Sequence, residues 1–514
     1  MNRGVACTHL HTGQKSRRLK GLRRSALPRG GLATGNGLAL ARPMLHRTME
    51  TSADELATVH LGDVLAGLSH ALDITEGHPQ GHAARACLIG MRLANIIGLR
   101  LSDRTHLFYA LLLKDVGCSS NAARVHQLFG GNDHEAKRAV WMFDWRDFGQ
   151  QAAYVLEYAG KGASSWQRLA YLARIATAGP SGRKELFEIR CDRGANVALG
   201  LGLSESTADA IRSMDEHWDG GGEPRGLSGA DIPLLGRLIG LAQVAEVFWH
   251  AHDEHMALEI VEQRNGRWFD PDLVRAFRVL AKDQDFWSAL RTEDTRRLVF
   301  DAEHQFAVVA DEARLDAIAE AFASVIDAKS PYTSEHSRRV ATLGVAIAKR
   351  LGFPDSQVTR IRRAALLHDI GKLGVPNSIL DKAGALTDSE WAVVREHPTH
   401  TLEILQRVPV FQEFAFDAAC HHERLDGSGY PRGFAADRLS PSARALAVAD
   451  VADALLAERP YRPSLDPDEA LRILKADCAR GALCRTSVFA IADIVANGGV
   501  VPSDEDAIAA RATA

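Results

Sequence analysis

From about Leu56 onward, apolar residues recur at intervals of three and four, as in Ala83–Ile97, Leu315–Ile326, Val340–Leu351 and Ala445–Leu456. That spacing lines one face of an α-helix. Alternating runs of the strand type are scarce. The pattern predicts an all-α chain, and the helix-end signals agree. Leu386-Thr-Asp-Ser-Glu390 reads as a capping box, with Thr387 or Asp388 at the N-cap of the helix carrying His397. Gly371 is placed to end a helix Ile361–Leu367.

The helical pattern occurs twice. His82 precedes Lys114-Asp115, and His336 precedes His368-Asp369, with equal spacings: 115 − 82 = 33 and 369 − 336 = 33. Asp219-Gly-Gly-Gly-Glu-Pro-Arg-Gly226 parallels Asp426-Gly-Ser-Gly-Tyr-Pro-Arg-Gly433. From these loops to the next helix the distances match again, 243 − 222 = 21 and 450 − 429 = 21. Two copies of one helical domain are expected, at roughly 55–300 and 310–500. A charged stretch near Asp283–Arg297 and a long helix through Asp311–Ala328 join them.

The second copy concentrates side chains that bind metals: His336, His368, Asp369, His397, His421, His422 and Asp450. One histidine alone more often satisfies a core or a surface; seven candidate ligands in a repeat unit are another matter. Asp450 lies in the apolar run Leu446–Asp453, where an isolated carboxylate is costly unless paired or metallated. Imidazoles hold transition-metal ions, and a carboxylate such as Asp369 can bridge two of them. Such a pair generates hydroxide and clamps phosphoryl oxygens. Lys372, three residues after Asp369, is suited to a phosphate oxygen. Asp369 and Lys372 are thus the expected catalytic residues of a metal-dependent phosphohydrolase.

The loop Gly429-Tyr430-Pro431 follows the double histidine and reads as a shaped lip, although Asp and Gly also favour plain turns. Arg459-Pro-Tyr-Arg462 reads equally as a solvated helix end or as two guanidiniums for a phosphate or a guanine. In the first copy Lys114 replaces His368, Cys118 replaces Lys372, Met214-Asp215 replace the histidine pair, Glu223 replaces Tyr430 and Gln243 replaces Asp450. That copy should be catalytically silent. His82, Asp115 and His134 are its expected remnant.

Charge and composition narrow the surroundings. A net charge of −4 over 514 residues argues against coating a nucleic-acid polymer. Seven scattered cysteines without a C-x-x-C pair suit a reducing cytoplasm, and no apolar run approaches a membrane span. Residues 1–50 are basic, glycine-rich and free of acidic residues until Glu50. They read as a disordered tail or as a start placed upstream of Met44 or Met49, and 501–514 as a flexible tail.

The second copy resembles the HD-GYP domain, a branch of the HD phosphohydrolase superfamily, over about Ala317–Arg462. The resemblance rests on Pro331-Tyr-Thr-Ser-Glu-His336, Leu367-His-Asp-Ile-Gly-Lys372, Ile379-Leu-Asp-Lys382, His397-Pro398, His421-His-Glu-Arg424, Gly429-Tyr-Pro431, Ala449-Asp450 and Arg459-Pro-Tyr-Arg462. It implies two tandem HD-type helical bundles and hydrolysis of cyclic di-GMP to pGpG or GMP. It also implies two divalent cations, iron first and manganese or another transition metal next. The seven ligands above would hold them, and Lys372, Arg459 and Arg462 would meet substrate phosphates. Three-metal members carry Glu where this chain has Tyr332, so a dinuclear centre is expected. Thr401 stands at a common glycine position, a packing change. A Phe-Asp-Pro element survives only in the first copy, as Trp268-Phe-Asp-Pro271, which suggests an irregular end to the second. Alternatives are hydrolysis of another cyclic dinucleotide or nucleotide, and a non-catalytic sensor or scaffold. A homodimer or a signalling partner could use the first copy.

Overall fold

The computed structural model describes residues 59–144, 147–292, 294–303, 307–330, 335–382, 384–457 and 464–496. Every named element among them is a helix, and strand-type pairing is confined to isolated bridges such as Asp426 with Ala435. The all-α expectation holds for the reason the spacing suggested. In the helix His336–Arg350, Val340, Leu343, Gly344 and Ile347 are buried together.

Five helices frame each copy. In the first they are α1 (Leu61–Thr75), α2 (His82–Ile96), α3 (Leu101–Leu113), α4 (Ser165–Gly200) and α5 (Leu234–Ala251). In the second they are α6 (Glu312–Asp327), α7 (His336–Arg350), α8 (Asp355–Leu367), α9 (His397–Leu405) and α10 (Pro441–Leu456). The long helix expected to join the copies is α6, capped by Asp311, whose carboxylate accepts from Arg314 N at 2.8 Å. α4 breaks at Gly179, whose φ of 54° leaves the helical region just before Pro180.

Local geometry repeats with the sequence. A Cβ on Gly371 would lie 1.9 Å from the carbonyl oxygen of His397, and one on Gly117 would lie 1.9 Å from that of Arg190. Only glycine lets the turn after each Asp approach the neighbouring helix so closely. Arg190 is therefore the counterpart of His397. The offset 397 − 190 = 207 equals 429 − 222 = 207. Between Asp and this position the first copy is longer, 190 − 115 = 75 against 397 − 369 = 28. The extra length carries the helices Ala122–Phe129, Asp133–Ala139 and Phe148–Tyr158 and the first part of α4.

The two copies share one hydrophobic core, running from Leu61 through Phe322 to Ile491. α1 packs on α2 and α3 and also on α9 and the 3-10 turn Ile370–Gly374 of the second copy. A polar seam accompanies it. Asp133 accepts from the backbone N–H of Asn377 at 2.8 Å. The buried ammonium of Lys329 donates to the carbonyl of Leu373 at 3.1 Å and to Nε2 of His134 at 2.9 Å. His134 thus belongs to the seam between the copies and not to the remnant of the first centre, where the sequence reading had put it.

The second copy's end is regular where irregularity was expected. The carbonyl of Ala482 accepts from Leu425 N at 3.0 Å, as that of Trp268 accepts from Trp218 N at 3.0 Å. Backbone does this work, so loss of Phe-Asp-Pro leaves it intact, and the helix Arg485–Ala496 follows.

Candidate metal centre

Five elements converge on one buried point. His336 opens α7, His368 and Asp369 follow the last turn of α8, and His397 opens α9. His421 and His422 follow the helix Gln412–Ala418, and Asp450 projects from α10. His397 does not share the helix opened by the Thr387–Glu390 capping box. That helix is Asp388–Arg395, and Pro398 helps to start the next one.

Asp369 stands in the middle, 1% exposed. Its Oδ1 lies 3.3 Å from Nε2 of His397 and 3.5 Å from Nε2 of His421. Its Oδ2 lies 3.4 Å from Nε2 of His368 and 3.5 Å from Nε2 of His336. One oxygen therefore serves each imidazole group. Asp450 closes the open side, its Oδ1 3.5 Å from His336 Nε2 and its Oδ2 3.6 Å from His422 Nδ1.

The remaining ring nitrogens explain the orientation. Nδ1 donates to a backbone carbonyl in His368 (Ala365, 2.6 Å), His397 (Val394, 2.6 Å) and His421 (Ala418, 2.7 Å). A nitrogen that donates carries the proton, so Nε2 of each ring presents a lone pair to the centre. Yet Nε2 of His397 and Nε2 of His421 are only 3.1 Å apart, and the buried Oδ1 of Asp369 has no hydrogen-bond partner. Acceptors crowded together without a donor repel one another unless a cation sits among them. The residues fit metal binding: His336, His368 and Asp369 form one group that could hold a cation and His397, His421 and His422 another, with Asp450 beside His336 and His422.

Protonation is consistent with this. Burial pushes the His421 imidazole down to about 4 and depresses His397 and His422, so all three are neutral near pH 7. Burial opposes ionisation of Asp369, but the neighbouring His368 and Lys372 outweigh it and hold the carboxyl well below its usual range. Burial likewise disfavours a charged His336, but the carboxylates of Asp369 and Asp453 raise it to about 10. A cation would have to displace that proton.

Some supporting residues had not been singled out. Asp453, three residues along α10 from Asp450, accepts from Nδ1 of His336 at 2.7 Å and from Arg339 Nε at 2.6 Å. The three-residue spacing on one helix face was the available signal. Thr401 is more than packing: its hydroxyl donates to the carbonyl of His368 at 2.8 Å and accepts from Gly371 N at 3.1 Å. Glu423 takes the backbone N–H groups of Arg432 and Phe434, both at 2.9 Å, and so closes the loop that carries Gly429-Tyr430-Pro431. Glu216 holds the first copy's loop in the same way, through Arg225 and Leu227.

That loop places Tyr430 against the centre, its ring 4.6 Å from that of His422, with the Arg395 guanidinium 5.6 Å from the Tyr430 ring centre. A Cβ on Gly429 would come within 2.4 Å of Arg424 N, so the close turn requires glycine. Lys372 is half-buried at the rim and pairs with Asp369. Arg459, Arg462 and Tyr332 lie outside the described residues, as do the two chain ends.

In the first copy the same stations hold His82, Lys114, Asp115, Arg190, Met214, Asp215 and Gln243. Lys114 pairs with Asp115, and Arg190 with Asp215 at 3.1 Å. Each carboxylate has a built-in cation. Lys114, Arg190 and Met214 also stand where the second copy has the imidazoles of His368, His397 and His421, so the donors for a metal are gone.

Comparison with known proteins agrees with this geometry. An HD domain family model matches residues 176–273 and 320–480, one segment in each copy. The chain is 42% identical over 423 residues to 3'3'-cGAMP-specific phosphodiesterase 3 of Vibrio cholerae, covering 81% of this chain and 91% of that one. It is 44% identical over 142 residues to a cyclic di-GMP phosphodiesterase of Pseudomonas aeruginosa, covering 27% and 34% respectively. A crystal structure of a cyclic GMP-AMP specific phosphodiesterase of V. cholerae superposes with a TM-score of 0.60 at 36% identity, over 87% of this chain and 99% of that one. Relatives that are cyclic-dinucleotide phosphodiesterases, a family model matched in both copies and a metal-ready His/Asp cluster in the second agree: the chain belongs to the HD domain family of phosphohydrolases, with the HD-GYP pattern in its second copy.

Proposed function

We propose that the second copy is a dinuclear phosphodiesterase for a 3'-3'-linked cyclic dinucleotide, and that 3'3'-cGAMP is its substrate. The observation that carries the metal assignment is the crowding of the His397 and His421 Nε2 lone pairs around the unpartnered Oδ1 of Asp369. Five imidazoles and two carboxylates suit iron or manganese. When bound, the two cations supply a hydroxide at neutral pH and a clamp for the phosphoryl oxygens.

The chain's own residues do the rest. Asp369 holds the two halves of the centre at a set separation, while Asp453 and the three backbone carbonyls keep the imidazoles aimed. Lys372 turns from Asp369 toward a non-bridging phosphate oxygen as charge builds there. Gly429 lets the backbone approach the substrate, and Tyr430 with Pro431 forms the lip over His422. Water adds its oxygen to one phosphorus as the P–O3' bond breaks and a proton passes to the leaving O3', giving a linear dinucleotide with a 5'-phosphate and a 3'-hydroxyl.

The choice of 3'3'-cGAMP rests on the relative named for that substrate, which is matched across 91% of its own length. Cyclic di-GMP is the second reading, favoured by relatives of that name at 40–44% identity over 142–160 residues. The cysteines among the described residues are free thiols, and no described helix is long and apolar enough to cross a membrane. We place the protein in the cytoplasm, where such messengers act.

The deciding experiment measures metal content and hydrolysis of both dinucleotides on protein purified without oxygen. About two metals per chain and faster turnover of 3'3'-cGAMP, lost in Asp369→Ala, are expected. Faster turnover of cyclic di-GMP selects the second reading, and metal without turnover of either removes the substrate assignment. Absence of metal sinks the enzyme reading.

A further inference from the structure

In the first copy a cavity of about 360 Å3 opens beside the metal-free centre, within the size range of small-ligand sites. Its walls include Trp141, Arg183, Phe187, Asp215, Glu223 and Trp268. Asp215 and Glu223 take the places of His422 and Tyr430 (422 − 215 = 207 and 430 − 223 = 207). The cavity is therefore the counterpart of the mouth over the catalytic centre. Trp141 comes from the extra segment that the second copy lacks.

The wall chemistry suits a nucleobase. Three aromatic side chains surround a space that also contains two carboxylates. The side chain of Trp268 is 5% exposed, and its Nε1–H has no hydrogen-bond partner. A buried donor left unmade is costly, and a ligand acceptor would satisfy it. The Watson–Crick edge of guanine presents two adjacent N–H donors and one carbonyl acceptor. Asp215 and Glu223 can take those donors, and Trp268 can meet the acceptor. Adenine offers a donor beside an acceptor and leaves one carboxylate opposed. Arg183, partly exposed and 3.2 Å from Glu223, is placed at the rim for a phosphate. The aromatic rings also offer faces on which a base can stack.

We propose that the first copy binds a guanine nucleotide without cleaving it. Lys114, Arg190, Met214 and Gln243 occupy the stations where cleavage would need metal ligands. The ligand could be the cyclic dinucleotide itself or a mononucleotide product, and this pair of sources rests on the reading of the second copy as a dinucleotide phosphodiesterase.

Equilibrium dialysis of the full chain tests it, using GMP, AMP, 3'3'-cGAMP and cyclic di-GMP on the native protein and on Asp369→Ala, Arg183→Ala and Phe187→Ala. The expected result is guanine-nucleotide retention by the native chain and by Asp369→Ala, weakened at least tenfold by Arg183→Ala and by Phe187→Ala. AMP should bind at least tenfold more weakly than GMP. Tighter GMP assigns the product as ligand; a tighter cyclic dinucleotide assigns the substrate. Circular dichroism checks that the variants fold, and partly exposed Arg183 supplies the decisive one. Retention unmoved by Arg183→Ala, no retention by Asp369→Ala, or AMP held as tightly as GMP each overturns the proposal. Hydrolysis by the native chain is read separately, so a failure of the enzyme reading shows up on its own.

Discussion

The ammonium of Lys114 lies 2.9 Å from Nε2 of His82, at the station where Nε2 of His368 faces Nε2 of His336 at 3.3 Å in the second copy. At the station of His368 the first copy carries a lysine, whose positive charge faces Asp115. The first copy kept its fold because Asp115 still meets a positive charge.

Removing that charge should cost stability and not catalysis. Lys114→Ala leaves Asp115 buried beside His82 without its main partner, and breaking such a pair typically costs about 3–5 kcal/mol. The urea midpoint should fall accordingly, while kcat for the dinucleotide, measured on folded protein, stays within about twofold. A large fall in kcat at unchanged stability would contradict a catalytically silent first copy.

Asp369→Asn probes the bridge. The amide keeps the size but gives up one of two anionic oxygens, and its NH2 faces imidazole lone pairs on one side of the centre. Bound metal should drop below one per chain, and turnover should fall by at least about 10³-fold, by analogy with the loss of other essential catalytic groups. Metal analysis alongside turnover reads both effects.

Asp453 is a positioning residue, acting through His336. Second-sphere partners of metal-binding histidines typically contribute 10–100-fold in metal affinity. Asp453→Asn should therefore need about that much more free metal for half-maximal activity. At saturating metal, kcat should largely recover, which a merely unfolded variant would not do. Chelator-buffered metal titrations separate the two cases.

Lys329 supplies a pH signature of the seam between the copies. Burial lowers its pKa from the ordinary 10.5 to about 8. Between pH 8 and 10.5 the unfolded chain binds more protons than the folded one, so this residue makes stability rise with pH across that window. Below pH 8 the full penalty applies, on the order of 3 kcal/mol. Urea midpoints at pH 7.5, 9 and 10.5 should show the native chain gaining relative to Lys329→Met. Parallel slopes would show that Lys329 titrates normally.

Much of the site could be read from spacing because all its histidines and Asp369 sit at or just after helix ends. Equal offsets in two copies single out His336, His368, Asp369, His421, His422 and Asp450 in the sequence, and the structure brings all six to one point with His397. Thr401 was misjudged because its hydroxyl bonds to backbone atoms thirty or so residues away, which no local pattern reports. Arg190 was missed because the longer first copy broke the first offset, 369 − 115 = 254, and only the second, 207, reaches it.

The sequence by itself determined the helical class, the duplication and the donor set, since periodicity, repeat spacing and side-chain chemistry are local properties. Tertiary structure alone decided which oxygen of Asp369 faces which histidines, because that depends on where four helix ends meet the middle of α10. It alone moved His134 from the remnant of the first centre to a buried seam with Lys329, and joined the two copies through one core. It also placed aromatic rings and carboxylates around an open cavity in the first copy. Those outcomes depend on packing between residues brought together from different helices, from 397 − 369 = 28 positions apart at Asp369 to 329 − 134 = 195 at the seam, where a sequence records the participants but not their contacts.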